Sequence, residues 1–144
     1  MKPETQAIRI QTERSQQREH ATPLFLTSSF VFDDAESMRA AFADETDANI
    51  YSRFSNPNVD EFADKLAALE GTEAGFATAS GMAAIFASFM TFLKAGDHLL
   101  ACSSIFGSTH TVITKYLPKW GIEYSYADIH RPETWAALVR PNTA

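Results

Sequence analysis

From residue 57 onward the sequence alternates between helical and strand-like stretches, and this alternation limits the fold more than any other feature. Asn56-Pro57 opens a helix, with a capping amide followed by a proline in the first turn. Val59, Phe62, Leu66 and Leu69 follow at helical spacing, and Gly71 closes a helix over 57–70. Ala74–Thr78 is strand-sized. Met82–Lys94, stopped by Gly96, is apolar on nearly every side and predicts a buried helix. His98–Cys102 predicts a buried strand and Ser103–Gly107 a loop. Ser108 to about Trp120 predicts a helix with Pro118 near its end, Ile122–Ala127 a strand, and Pro132–Val139 a helix. The order α-β-α-β-α-β-α implies an α/β fold, a parallel sheet covered by helices.

The preceding 56 residues have a different character. Residues 1–20 are the most polar stretch and predict an arm or a short exposed helix. Residues 24–32, LFLTSSFVF, are rich in strand-formers without clean alternation, which predicts an extended segment. Asp33 as cap with Glu36 three residues on predicts a helix running to about Ala43. Residues 44–56 form a polar loop. Twelve basic against eighteen acidic residues leave a net charge of −6, which opposes nucleic-acid binding. One cysteine, Cys102, excludes a disulfide within the chain. The N-terminus lacks the apolar core of a secretory signal, and the longest apolar run, Met82 to Leu93, is too short to span a bilayer. A soluble cytoplasmic protein is the expectation.

Three places carry candidate chemistry. Ser80-Gly81-Met82 lies between a predicted strand and a predicted helix, where ligands of α/β sheets bind and free amides favour an anion. Gly81 would let a phosphate approach the backbone, or it would simply make a tight turn that needs a small residue for packing. In the loop Tyr51-Ser52-Arg53-Phe54-Ser55-Asn56-Pro57, Arg53 offers a fork of donors suited to phosphate, with the Tyr51 hydroxyl beside it. At i and i+2 the two share one side of an extended chain; a solvated loop arginine is the plain alternative. Phe106, in Ile105-Phe106-Gly107-Ser108-Thr109, is either a platform for a flat ring or ordinary packing. His20, His98, His110 and His130 have no metal-ligand spacing, so no metal is expected; His110 stands out for its nearness to the Phe106 loop. Asp60, Glu61 and Asp64 read as the wet face of their helix.

Taken together, YSRFSNP, ALEGTE, ATASGMAAI and SSIFGSTH resemble the Cys/Met-metabolism family of pyridoxal-phosphate (PLP) enzymes, with similarity from about Pro23 to Ile129. The details FLTSSF at 25–30, YSRFSNP and Phe106 are most similar to the O-succinylhomoserine sulfhydrylases. The resemblance implies the first part of the large domain of a type I aminotransferase-like fold, truncated. Residues 1–56 would be an arm and inter-subunit segment, and 57–144 the start of the PLP-binding domain. It further implies that Ser80, Gly81 and Met82 hold the cofactor phosphate. Tyr51 and Arg53 would reach that phosphate from a neighbouring subunit, and Phe106 would stack on the pyridine ring. The implied reaction is γ-replacement: succinate leaves O-succinylhomoserine and sulfide takes its place, giving homocysteine. A cystathionine γ-synthase or γ-lyase remains an alternative, as does a stand-alone phosphate-ligand or interaction module. The implied assembly is a dimer of dimers, with small-molecule partners only.

Two departures from the family pattern bear on activity. Phe106 stands where most members have tyrosine, which keeps stacking and removes a phenolic acid. The family's Schiff-base lysine lies further along than Ala144, so an incomplete, inactive piece is expected. Lys115, within Thr114-Lys115-Tyr116-Leu117, echoes the block around that lysine but follows SSIFGSTH too closely to be it.

Overall fold

The computed structural model describes residues 2–144. They form two compact units, one up to Ala77 and one over Thr78–Ala144.

In the first unit the polar N-terminal arm contains a short helix, α1 (Pro3–Arg9), with no buried side chain. Helix α2 (Ala35–Phe42) follows. Its cap is Asp34, one residue later than the sequence pattern indicates. The Asp34 carboxylate accepts the Ser37 amide hydrogen at 2.7 Å, and Ser37, not Glu36, completes the reciprocal cap. Glu36 instead pairs with Arg39, which also holds Glu45. Helix α3 (Pro57–Glu70) has the predicted bounds, with Asn56 accepting from the Asn58 amide and Gly71 leaving in the left-handed region at φ 67°. Asn56 is itself buried, and its amide nitrogen donates to the Phe25 carbonyl and the Ser52 hydroxyl. The cap of α3 therefore also fastens the extended segment 24–32, which touches residues 50–52 through an antiparallel bridge, Ser29 to Tyr51.

Ala74–Thr78 is extended but pairs with no strand among the described residues, so the predicted strand is absent. Its backbone follows the side of α3 instead. A Cβ on Gly75 would lie 2.8 Å from the Ala63 carbonyl oxygen, so only glycine permits that approach.

The second unit begins with α4 (Gly81–Phe92). No side chain of α4 is buried, contrary to the expectation from its apolar sequence; Phe92 is 76% exposed. Apolar composition demands a cover, and these residues provide little of it. Strand β1 (His98–Cys102) pairs in parallel with β2 (Glu123–Ala127), from His98 opposite Glu123 to Cys102 opposite Ala127. Only His98 of β1 is fully buried, so this strand is half covered rather than enclosed. Between the strands the chain is helical but changes pitch. A single α turn, α5 (Gly107–Thr111), widens into a π turn over Val112–Tyr116 and tightens to 3-10 over Leu117–Trp120. Pro118 accounts for the change: it lacks an amide hydrogen, and its ring opposes an α-helical carbonyl four residues back. Pro132–Leu138 is likewise 3-10 rather than α.

The core of this unit is Leu93, Ile113, Leu117 and Ile122, flanked by Phe89, Leu99, Ile105, Tyr124 and Tyr126. Each fully buried aliphatic side chain contributes about 1.5–3 kcal/mol by leaving water. On the edge of β1 away from β2, His98 bonds to the last residues: its amide donates to the Asn142 carbonyl, and its carbonyl accepts from the Ala144 amide.

Candidate cofactor-phosphate site

Ser80 caps α4. Its hydroxyl oxygen accepts the Ala83 amide hydrogen at 3.1 Å, and its carbonyl accepts that of Ala84. The Gly81 and Met82 amide hydrogens have no partner among the described residues, as the opening turn of a helix dictates. They point along the positive end of the helix dipole. Gly81 is neither strained nor crowded among the described residues. Its φ is not positive, and a Cβ there would meet no atom within 4 Å. Neither backbone conformation nor packing among these residues requires glycine.

Phe106 lies just before α5 and is 69% exposed. It packs too little to be explained by the core. Two residues of α5 tie this element down. Thr109, buried, approaches the Met82 sulfur at 3.8 Å with its hydroxyl. His110 meets Tyr126 of β2, its Nδ1 lying 2.8 Å from the phenol oxygen. Thus Ser80, Gly81 and Met82 form one contiguous amide cluster, and the Phe106 element is joined to it through Thr109. The sequence singled out His110 but carried no signal for Tyr126, whose nearness depends on the β1–β2 register.

Tyr51 and Arg53 sit in the first unit. Residues 51–54 form a turn, closed by the Phe54 amide donating to the Tyr51 carbonyl at 2.8 Å, and not the extended chain expected. The two side chains nevertheless meet. The Arg53 guanidinium lies 5.0 Å from the Tyr51 ring centroid and 5.3 Å from that of Phe54. Such contacts orient a cation without neutralising it. Arg53 has no carboxylate partner among the described residues.

Lys115 is exposed on the π turn, a surface residue. No group of three or more His, Cys, Asp or Glu side chains able to hold a metal occurs among the described residues. No helix among the described residues is long and apolar enough to cross a membrane.

A parallel βαβ unit, preceded by a helix whose first amides are free and uncrowded, gives this chain an α/β architecture. The chain belongs to the family of Cys/Met metabolism PLP-dependent enzymes, whose model matches residues 4–144. It is 44% identical to the O-succinylhomoserine sulfhydrylase of Pseudomonas aeruginosa, over 97% of this chain and 35% of that protein. It is 43% identical to the L-methionine gamma-lyase of Porphyromonas gingivalis, over 85% of this chain and 31% of the relative. The chain thus spans roughly a third of the length of these curated relatives. Among solved structures, it matches a Campylobacter jejuni protein assigned as an O-acetylhomoserine (thiol)-lyase, with a TM-score of 0.91 and 31% identity. That match covers 99% of this chain and 35% of the other, which holds a pyridoxyl-lysine monophosphate. The fold is therefore the α/β fold of these enzymes, and the family's cofactor is PLP.

Proposed function

We propose that this chain is the phosphate-anchoring and ring-stacking segment of a PLP-dependent sulfhydrylase. The reaction is γ-replacement on O-succinylhomoserine with sulfide, yielding homocysteine and succinate for methionine synthesis. The supporting observation is Gly81: an unstrained glycine with empty space where a Cβ would be, between free amides at the start of α4. An anion from outside these residues gives that glycine a purpose.

In this reading the Gly81 and Met82 amides bind the phosphate, and the Ser80 hydroxyl, already accepting from Ala83, donates its hydrogen to the same group. Phe106 covers one face of the pyridine ring. Tyr51 and Arg53 serve the phosphate of a neighbouring copy, with the guanidinium held over two aromatic rings and without a carboxylate partner among the described residues. Bound PLP supplies an electron sink for charge developing at the substrate's Cα. The residues of this chain contribute rigidity, keeping the breaking bond aligned with the ring. Residues 1–56 act as arm and inter-subunit segment and 57–144 as the start of the cofactor domain, within a cytoplasmic dimer of dimers. The 144-residue chain alone is inactive.

A γ-lyase acting on methionine is the second reading, favoured by the 43% identity to the Porphyromonas enzyme. Protein of the full length of its relatives, carrying this segment, separates the two. Incubation with O-succinylhomoserine and sulfide should release homocysteine and succinate, with little ammonia from L-methionine. Ammonia release from methionine without homocysteine formation would transfer the assignment to the lyases. The anchor has its own test. Gly81→Ala meets no neighbour and improves helix propensity, so stability should hold or rise. PLP affinity should nevertheless fall about tenfold by equilibrium titration. Unchanged affinity would remove the phosphate from this helix start.

A further inference from the structure

Nothing in the immediate surroundings of Phe106 orients its ring. It makes no side-chain cap bond, it is 69% exposed, and a Cβ on the following Gly107 would meet nothing within 4 Å. What fixes its backbone is the first turn of α5, where its carbonyl accepts the His110 amide hydrogen at 3.0 Å. That turn is only five residues long before the pitch widens, so its own backbone bonds restrain it weakly. Its tilt therefore depends on side-chain ties to neighbouring elements.

The strongest such tie is the His110 side chain. Its ring stacks on Tyr126 with centroids 5.5 Å apart and planes inclined by 22°. The imidazole Nδ1 and the phenol oxygen are 2.8 Å apart, a hydrogen bond between the same two residues. Tyr126 is a firm base for this contact. It packs against the Leu93–Ile113–Leu117–Ile122 core, meets Tyr124 edge-on at 5.7 Å, and sits in register with Ala101 of β1. Burial, reinforced by Tyr124, pushes the Tyr126 phenol up from its ordinary value, so it keeps its hydrogen at neutral pH. The amide of His110 thus holds Phe106 while its ring is held by β2.

We propose that His110 and Tyr126 form a positioning pair that sets the orientation of Phe106 against the cofactor ring. The inference deepens the function given above and rests on Phe106 being the ring's platform. Neither member need touch the cofactor: the pair acts through α5, and Thr109 against the Met82 sulfur is its counterpart on α4.

The test uses the holoenzyme at the full length of its relatives, with PLP as the probe. Tyr126→Phe removes one oxygen and His110→Ala removes the ring. Each should raise the PLP dissociation constant about three- to tenfold and reduce the visible circular dichroism per bound cofactor. The double variant should be no worse than the poorer single, because both break one contact. His110→Asn, whose amide can reach the same hydroxyl, should recover part of the ellipticity. A purely structural role would lower the melting temperature and leave the ellipticity per bound cofactor unchanged. Phe106→Ala is the control for the underlying reading. If it perturbs affinity and ellipticity while both Tyr126→Phe and His110→Ala leave them intact, the pair has no positioning role. If Phe106→Ala also changes nothing, the stacking platform itself is lost and the pair with it. Should His110→Ala fail to fold, Tyr126→Phe decides alone.

Discussion

At the residue scale the least expected finding is Glu61. On sequence it belongs with Asp60 and Asp64 on a wet helix face, yet its side chain is only 11% exposed and holds the N-terminal arm to α3. The carboxylate accepts from the Thr12 amide at 3.0 Å and from the Thr12 hydroxyl at 3.1 Å. It also accepts from the Thr22 hydroxyl, and it pairs with Lys65 at 2.5 Å. Burial by itself would push its pKa up; the Lys65 ammonium and the Thr22 and Thr12 donors outweigh that and bring it down to about 2. The folded value is thus depressed. Its contribution is complete above the unfolded value near 4.5 and is lost as pH falls from there toward about 2. Glu61→Gln should cost on the order of 2 kcal/mol at pH 7 and flatten stability between pH 5 and 3. Proteolysis of the arm, followed by mass spectrometry, should quicken in the variant; arm cleavage at the wild-type rate would show that Glu61 does not hold it. Lys65 lies four residues on, within sight of a helical pattern, but no pattern announces the hub, because its threonine donors lie 39 and 49 residues away. Gly81 is the opposite case. Its place after Ser80 and before an apolar helix was legible, and the structure added only that nothing nearby needs a glycine.

At the scale of elements, what could be read depended on where each element's signal resides. Helix α3 carries its start, stop and stripe in its own residues, so its bounds were legible from Pro57 to Glu70. The pitch change after Thr111 was half legible: Pro118 marked a helix end, but not the π turn that accommodates it. Ala74–Thr78 and α4 were misread for one shared reason, since strand pairing and burial both require partners that a local window does not contain. His98 shows how such partners are joined. Its fully buried ring bonds through Nδ1 to Thr143 at 2.8 Å and through Nε2 to Ser125 of β2 at 2.9 Å. It thereby ties β1 to both its neighbours. Burial, with the Arg140 cation, pushes its pKa down, while Glu123, paired with Arg140, opposes this weakly. Stability from the neutral ring is therefore complete above pH 6.5, the ordinary value, and is lost as pH falls through the lower folded value. His98→Leu leaves both hydroxyls short of a partner and should cost about 2–3 kcal/mol at pH 7.5. The deficit should shrink as pH falls below 6, in urea unfolding at several pH values. A deficit that stayed constant with pH would place the loss in packing rather than in the hydrogen-bonded imidazole.

At the scale of the whole molecule, apolar surface and enclosed core are out of proportion. The principal cluster holds four buried side chains, Leu93, Ile113, Leu117 and Ile122. Meanwhile Phe76, Phe92, Phe106, Leu24, Leu26 and Val31 are each at least 69% exposed. A strand edge and an apolar helix without a cover favour self-association. The chain spans only 35% of the Pseudomonas sulfhydrylase it matches, and protein of such a relative's full length is expected to cover this surface. Two measurements follow from that arithmetic. Produced alone at micromolar concentration, the 144-residue chain should enhance the fluorescence of an apolar dye and sediment as a mixture larger than monomer. Protein of the relatives' full length should bind the dye weakly and sediment as one discrete oligomer. Charged substitutions on α4, such as Phe92→Glu and Met90→Lys, then act in opposite directions in the two contexts. They should improve solubility of the short chain, where those residues are 76% and 39% exposed, and should destabilise the long one by charging a face expected to be covered there. A monodisperse, dye-silent short chain whose α4 variants behave alike in both contexts would mean that the exposed face of α4 is tolerated as it stands and that no further part of the protein is needed to cover it.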